Sequence, residues 1–584
     1  MLGRRSNQRG LFEGDHLYLD FVGPKTFYGF LSSQRDELFK DEDFAELYCA
    51  DNGRRSVPPS LLCTALVLQH YDKCSDEEAW ERASYDLRWK VALGTETVER
   101  PFAKSTLQLF RAQLLANQKM RVPFERSLEL GRRQGLVRAS RAAKLALDTS
   151  NILGRGAVRD TYNLISDGIR QVLTALAKVK GQKPPDYARD QGLGRHFESS
   201  IKGASKVDWD DEKSRSEFLA GLVSDAHRAL RLAAQVRGEV EEGSSADERI
   251  EAGCRLLATI LLQDLEVKRE PKAGADEQLV IKRETSGDRV CSASDPEMRH
   301  GRKSASKRFD GHKLSLAVEV ESQLITGVEV LAGSAADDEG ALELVQASAL
   351  ALGVEIEAVL ADCAYGDGQN RQDFREAGIE LKAKVPVQGG EHFKKSDFRI
   401  DLEAMTCTCP ADQTTDVVRR MGSGHGAGGR VPQQAFVFSA EVCTSCPLRA
   451  GCYKPSVENR GRRVFLHPQE ALLQEARAWQ QSPDFDLFRK QRQVVERRIA
   501  RMMQLGMRQA RYCGRRKTLF QALMTGAVAN LTLIVGQIGL TAALKTSTTA
   551  LAAASEAVRT LQVASRTLWA LLRGPARPPE PAPC

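Results

Sequence analysis

Three carboxylates stand where acid chemistry could be done. Asp148 ends the apolar run KLALD, and Asp362 ends IEAVLAD. Both runs read as strands, and open α/β sheets gather ligand-binding groups beyond the carboxyl ends of their strands. The third, Glu496, is the single acid between Phe488 and Lys517, a stretch of thirty residues with eleven Lys or Arg. Each has an ordinary reading when taken alone. Strand-end aspartates form turns and caps, and Glu496 one helical turn from Arg492 makes a weak ion pair. Together they form an all-oxygen donor set, which suits Mg²⁺ or Mn²⁺ rather than Zn²⁺. Two such ions can activate a nucleophile and stabilise the leaving oxygen of a phosphodiester.

A second donor set is softer. CTCP carries Cys407 and Cys409, and CTSCPLRAGC carries Cys443, Cys446 and Cys452. Cys-x2-Cys is zinc-knuckle spacing, and a Cys pair some thirty residues upstream fits a zinc ribbon. Five thiols compete for four positions, so one structural Zn²⁺ would take four of the five. Unligated cysteines are the plainer alternative, and a redox pair lacks a thioredoxin-like βαβ frame. His425 falls in GSGHGAGG, which reads as a flexible loop and a poor place for a ligand. The odd total of thirteen Cys, with no basic-then-apolar start of secretory type, points to a reduced, cytoplasmic chain.

A net charge of +7 is modest for 584 residues, so clustering matters more than the total. One basic cluster is RHGRKSASKR, with Arg299, Arg302, Lys303, Lys307 and Arg308. The other is the stretch around Glu496, with Arg492, Arg497, Arg498 and Arg501. Such runs are often solvated helix faces, but they also attract polyanions such as nucleic acid.

The elements that must hold these groups follow from pattern. The length allows two to four domains. The first 115 residues or so read as short helices: Pro58 and Pro59 open an apolar run, Ser75 and Glu78 have capping-box spacing, and Ser105 and Gln108 repeat it. Such helices suit a helix-turn-helix DNA reader or any small bundle. KLALDTSNI is a short strand, and residues 166–285 are a charged, mostly helical insertion. Then follow KLSLAVEV, a turn at ESQ, LITGVEVL, a helix, the strand ending at Asp362, a helix and a last strand, IELKAKVPV. That order predicts a mixed α/β sheet layered with helices. Residues 518–544 carry no charge and are long enough to cross a bilayer, but their Gln, Asn and Thr residues favour a buried helix. The tail RGPARPPEPAPC is Pro-rich and predicts disorder.

The sequence LALDTSNI, then VLADCAYGDGQN, then QRQVVERRIARM resembles the DDE transposases of bacterial insertion sequences, which have a ribonuclease-H-like catalytic core. The resemblance extends to the helical start, to SDPEMRHGRKSASKRFDGHKLSLAVEV and to RYCGRRKTLFQALMTGAVANLTLI, covering most of residues 10–540. It implies Asp148, Asp362 and Glu496 as the catalytic, Mg²⁺- or Mn²⁺-binding acids, with two ions. The family often has Tyr-x2-Arg-x3-Glu-x6-Lys around its last acid. Arg492 matches the Arg, while Arg489 stands at the Tyr position and Met503 at the Lys position.

On this basis residues 1–140 are expected to form a helical DNA-end-binding domain. Residues 141–165 and 286–385 would open the core, 386–470 would be the cysteine-rich insertion, 471–545 would close the core, and 546–584 would be a C-terminal helix and tail. The implied partners are double-stranded DNA, as the element's terminal inverted repeats and as target, and a second copy of the chain on that DNA. A membrane is not expected. The implied site of action is the bacterial cytoplasm at the nucleoid. Other classes remain: a transposase-derived DNA-binding protein without catalysis, or a metal-dependent nuclease that does not join strands.

Overall fold

The computed structural model describes residues 1–5, 12–138, 141–268, 278–284, 286–303, 306–386, 391–426, 429–453 and 460–538. The expected C-terminal helix and tail, 546–584, lie outside them. The described residues divide into two compact units: those within 1–113 together with Val528–Ile538, and those within 114–527.

The smaller unit is helical: α1 (Gly14–Val22), α2 (Phe27–Leu38), α3 (Pro59–Tyr71), α4 (Asp76–Tyr85), α5 (Leu87–Leu93) and the start of α6 (Thr106–Ala116). Pro59 opens α3, where a missing N–H costs nothing, and every residue from Pro59 to His70 is buried. The Ser75 capping box forms: Ser75 Oγ accepts from the Glu78 N–H and Glu78 Oε2 from the Ser75 N–H, at 3.2 and 2.7 Å. Asp72, just beyond α3, ties three elements together. Its carboxylate accepts from the Tyr28 hydroxyl and the Trp89 indole N–H, each at 2.7 Å, and pairs with Arg82 at 3.1 Å.

The larger unit opens with α7 (Val122–Arg133) and the strand β1 (Ala143–Leu153). The helical insertion follows as α8 (Thr161–Val179), α9 (Pro184–Asp190), α10 (Glu212–Arg237) and α11 (Ser245–Asp264), with a two-stranded ribbon of β2 (Leu265–Lys268) and β3 (Gln278–Ile281). It has its own core, including Ile169, Leu173, Leu222 and Ile260, so it folds as a layer that leaves the strand order intact.

The main sheet resumes with β4 (Arg299–Arg302), β5 (Arg308–Glu319) and β6 (Ile325–Ala332). After α12 (Ala341–Leu352) come β7 (Ile356–Leu360), α13 (Gly368–Glu376) and β8 (Glu380–Lys382). Its strand order is β4-β5-β1-β7-β8, with β6 also on β5. β5 is antiparallel to β1, β4 and β6, while β7 lies parallel to β1 and β8 parallel to β7. β5 is long enough for β4 to pair with its first residues and β6 with the rest. The expected order of strand, hairpin, helix, strand, helix and strand is present, in a mixed α/β sheet of ribonuclease-H-like kind. Leu145, Leu147, Val345, Val359 and Phe374 fill the space between sheet and helices.

The cysteine-rich insertion sets short pieces around one longer hairpin: β9 (Arg399–Asp401), β10 (Thr406–Thr408), β11 (Thr414–Thr415), the hairpin of β12 (Val418–Gly426) and β13 (Gly429–Val437), α14 (Ala440–Thr444), α15 (Arg449–Cys452) and β14 (Arg463–Leu466). The segment expected as a loop around His425 instead belongs to the β12–β13 hairpin, where His425 pairs in register with Arg430. Backbone ladder bonds hold this ribbon, and glycine does not forbid them.

Three helices complete the described residues: α16 (Glu470–Gln480), α17 (Asp484–Met502) and α18 (Arg515–Ile538). α17 carries Glu496 and packs across β1, β5 and β7. It ends in one π-turn, Met503–Met507, where Gly506 adopts φ +104°, a backbone conformation that glycine reaches without strain. The chain then returns along β1: the Leu153 N–H donates to the Arg508 carbonyl and the Ala510 N–H to the Leu153 carbonyl. α18 is long and apolar enough to cross a membrane, but 78% of its most apolar window is buried within the fold, as its polar residues predict.

Candidate active site

Asp148 and Asp362 are neighbours because of strand register. In the parallel β1–β7 pair, Ala146 stands opposite Leu360. Each aspartate lies two residues further on, so both leave the same end of adjacent central strands. Asp362 turns its backbone there, its carboxylate accepting from the Ala364 N–H at 2.9 Å, while Asp148 accepts from its neighbour's Thr149 N–H at 2.8 Å.

α17 lays Glu496 over this edge. Its inward side is Phe488, Val494, Val495, Arg498 and Met502, with helical spacings of seven, three and four running from Phe488 through Val495 and Arg498 to Met502. Glu496 lies on the flank, about half exposed, with Arg492 one turn before it. The Arg492 guanidinium reaches both acids, with Nη1 3.4 Å from Asp148 Oδ2 and Nη2 2.5 Å from Glu496 Oε1. Burial pushes the Asp148 carboxyl up to about 6. Arg492 and the Thr149 N–H pull it back, while Asp362 and Glu496 push it further up. All three acids therefore feel one another at Asp148.

A tyrosine lies beneath the cluster. Tyr365 is almost wholly buried, and its hydroxyl is held well above the usual phenol range by burial, with Asp148, Asp337 and Asp362 adding repulsion. The sequence reading missed it, although it stands one turn past Asp362, where a side chain can fold back under the strand ends. Asp337 in turn pairs with Lys313 at 2.8 Å.

Among the described residues no three His, Cys, Asp or Glu side chains stand close enough together to hold an ion as placed. At the acids the reason is visible, because Arg492 lies between Asp148 and Glu496. The donor set nonetheless fits a hard divalent cation. It is all oxygen, it is fixed by two adjacent strands and a packed helix, and a cationic group already bridges two of its members.

The expected DNA-contacting side chains divide. Arg302, Lys303, Lys307 and Arg308 are exposed near the tip of the β4–β5 hairpin, where Arg302 pairs in register with Arg308. Arg497 is exposed on α17 and Arg501 partly so, and Arg489 and Lys490, not among the expected contacts, share the exposed face. Two of the expected side chains are engaged by the fold itself. Arg498 turns inward on the apolar stripe, three residues after Val495 and four before Met502. It is 7% exposed, with burial lowering its guanidinium to about 10. Arg299 pairs with Asp288 and donates to the Pro296 and Met298 carbonyls, so it is committed to the fold.

Two families match this chain. Residues 408–535 match a Transposase DDE domain family, and residues 17–113 match a Transposase domain family (DUF772). The resemblance to DDE-type transposases of insertion sequences holds. The first match includes Glu496 and the whole of α17; the second falls on the helices of the smaller unit. Asp148 and Asp362 lie outside both. No curated protein and no solved structure matches the chain significantly. Transposase families act on DNA, and DDE transposases in general use divalent metal.

Proposed function

We propose that this chain is a DDE transposase that binds the ends of its own insertion sequence as a homodimer, cleaves the DNA there and joins the freed 3′-hydroxyl to target DNA. It would act on the nucleoid of a bacterial cytoplasm. The observation that carries the proposal is the convergence of Asp148, Asp362 and Glu496 from two adjacent strands and one helix, with Arg492 joining the first acid to the last. Asp148, Asp362 and Glu496 would hold two Mg²⁺ or Mn²⁺ ions, whose chemistry is activation of an attacking oxygen and stabilisation of the leaving one.

The chain's own residues supply the rest. Asp148 must be ionised to act as a ligand, and its burial keeps that state costly until a cation is near. Arg492 meets part of that cost in the resting protein and holds Glu496 toward the strand ends. The exposed Arg489, Lys490 and Arg497 give α17 a positive face on which phosphates can settle, and the β4–β5 tip adds a second one. The helical unit matched by the Transposase domain family would read the terminal repeats, since phosphate contacts position a protein on DNA but do not specify sequence. Strand transfer in vitro with DNA carrying the element's ends, in Mg²⁺, tests the reading. Joined products support it, cleavage without joining favours the nuclease, and specific binding without cleavage favours a non-catalytic DNA-binding protein.

A further inference from the structure

The cysteine-rich insertion has too little core for its length. Among its described side chains the buried apolar residues are Phe398, Cys407, Ala435, Phe436, Phe438 and Val464, and its strands β9, β10 and β11 have two or three residues each. Domains this poor in apolar burial ordinarily need a disulfide or a metal. No disulfide joins the described cysteines.

Four of them converge. Cys409 follows β10, Cys443 lies in α14, Cys446 follows it, and Cys452 ends α15. All four line one small cavity of about 20 Å³, walled by Phe398 and Phe438. The Cys452 thiol feels the other three, Cys443, Cys446 and Cys409. The backbone around them is arranged as at thiolate sites. The Arg462 N–H donates to Cys443 Sγ at 3.4 Å, the Arg449 guanidinium to the Cys443 carbonyl at 3.0 Å and the Arg462 guanidinium to the Cys452 carbonyl at 3.1 Å. The two arginines would also offset the charge of −2 that four thiolates keep once Zn²⁺ is bound.

Cys407 is different. It is wholly buried in the apolar core, pairs in register with Ile400 and Thr415, and does not line the cavity.

We infer that Cys409, Cys443, Cys446 and Cys452 form a structural zinc site that fastens α14 and α15 to the β9–β11 sheet, and that Cys407 is a core residue and not a ligand. The four thiols surround the cavity without closing on its centre, and binding draws them inward as their protons leave. None of the three acids lines this cavity.

The test uses the full chain, purified without chelator from zinc-supplemented cells. The expected result is about one zinc per chain, a Co²⁺-substituted spectrum of four-thiolate tetrahedral type, and four additional reactive thiols once a chelator removes the metal. Cys407→Ala keeps the zinc, whereas Cys409→Ser loses it. Because Cys409→Ser could also unfold the insertion, the thiol count on the unmodified chain decides independently. Zinc-free protein, a Co²⁺ spectrum with fewer thiolates, disulfides among the four, or zinc lost from Cys407→Ala and kept by Cys409→Ser would each overturn the assignment.

Discussion

The Arg492 guanidinium lies 3.4 Å from the Asp148 carboxylate across 344 residues of chain. It is a cation of the protein's own bridging two carboxylates, Asp148 and Glu496. Replacing it with the neutral Arg492→Gln removes a competitor for the carboxylates. Mn²⁺ affinity, measured by calorimetry, is expected to rise by about tenfold, the effect of roughly 1.4 kcal/mol. The metal-free variant is expected to melt below the unmodified protein, with Mn²⁺ recovering the difference. Unchanged or weaker Mn²⁺ binding would mean that the guanidinium does not compete with the ion.

Asp148 gives a pH-dependent signature. Its folded pKa of about 6 lies above the ordinary unfolded value, so the fold disfavours its ionised form. That cost is fully present above about pH 6 and fades as pH falls toward about 4. Metal-free Asp148→Asn is therefore expected to unfold at a higher temperature than the parent near neutral pH. The gain is on the order of 3 kcal/mol, with the pull of Arg492 already included in that folded value. The gap is expected to close by about pH 4. A destabilised variant at neutral pH would contradict this electrostatic picture.

The two sides of α17 make opposite predictions. Neutralising Lys490 and Arg497, both exposed, is expected to weaken binding to element ends and to random DNA by similar factors. The slope of log affinity against log salt becomes shallower by about 0.9 for each phosphate that the protein no longer neutralises. Arg498→Ala instead empties a buried position, lowering stability by about 1–3 kcal/mol. Its salt slope, measured at a temperature where it stays folded, is expected to match the parent's. A reduced slope for Arg498→Ala would place that side chain on the DNA.

In the helical unit, Asp72→Ala strands two buried donors, the Tyr28 hydroxyl and the Trp89 indole. The expected loss is about 3 kcal/mol, more than the roughly 1 kcal/mol expected for Ser75→Ala at the α4 cap. Chemical denaturation followed through Trp89 ranks the two, and an equal or smaller effect of Asp72→Ala would contradict the proposed knot.

The strands of the sheet were legible because their patterns are local. LALD and IEAVLAD each end in an acid, and KLSLAVEV and LITGVEVL alternate around a turn. The capping box was legible for the same reason. Side-chain direction was harder. Arg498 looked like one more charge in a basic run, and only the spacing to Val495 and Met502 shows that it turns inward. Arg299 was read by its charge, although its partners are backbone carbonyls that no charge pattern predicts. Tyr365 escaped notice because its role comes from β1 and β7 meeting, a contact between residues far apart in the chain. The choice among five cysteines needed the third dimension too, since Cys407 and Cys409 differ by two residues but face core and cavity respectively.

The central claim is that Asp148, Asp362 and Glu496 together carry the chemistry. The direct measurement is Mg²⁺-dependent cleavage and strand transfer on DNA bearing the element's ends, for the unmodified protein and for Asp148→Asn, Asp362→Asn and Glu496→Gln, alongside binding to the same DNA. Each variant keeps the shape of its side chain and loses a charged ligand. The account predicts that all three lose cleavage by at least about a hundredfold, the scale for losing a group that stabilises the transition state, while end binding persists. Cleavage at the unmodified rate by any one of them would contradict it.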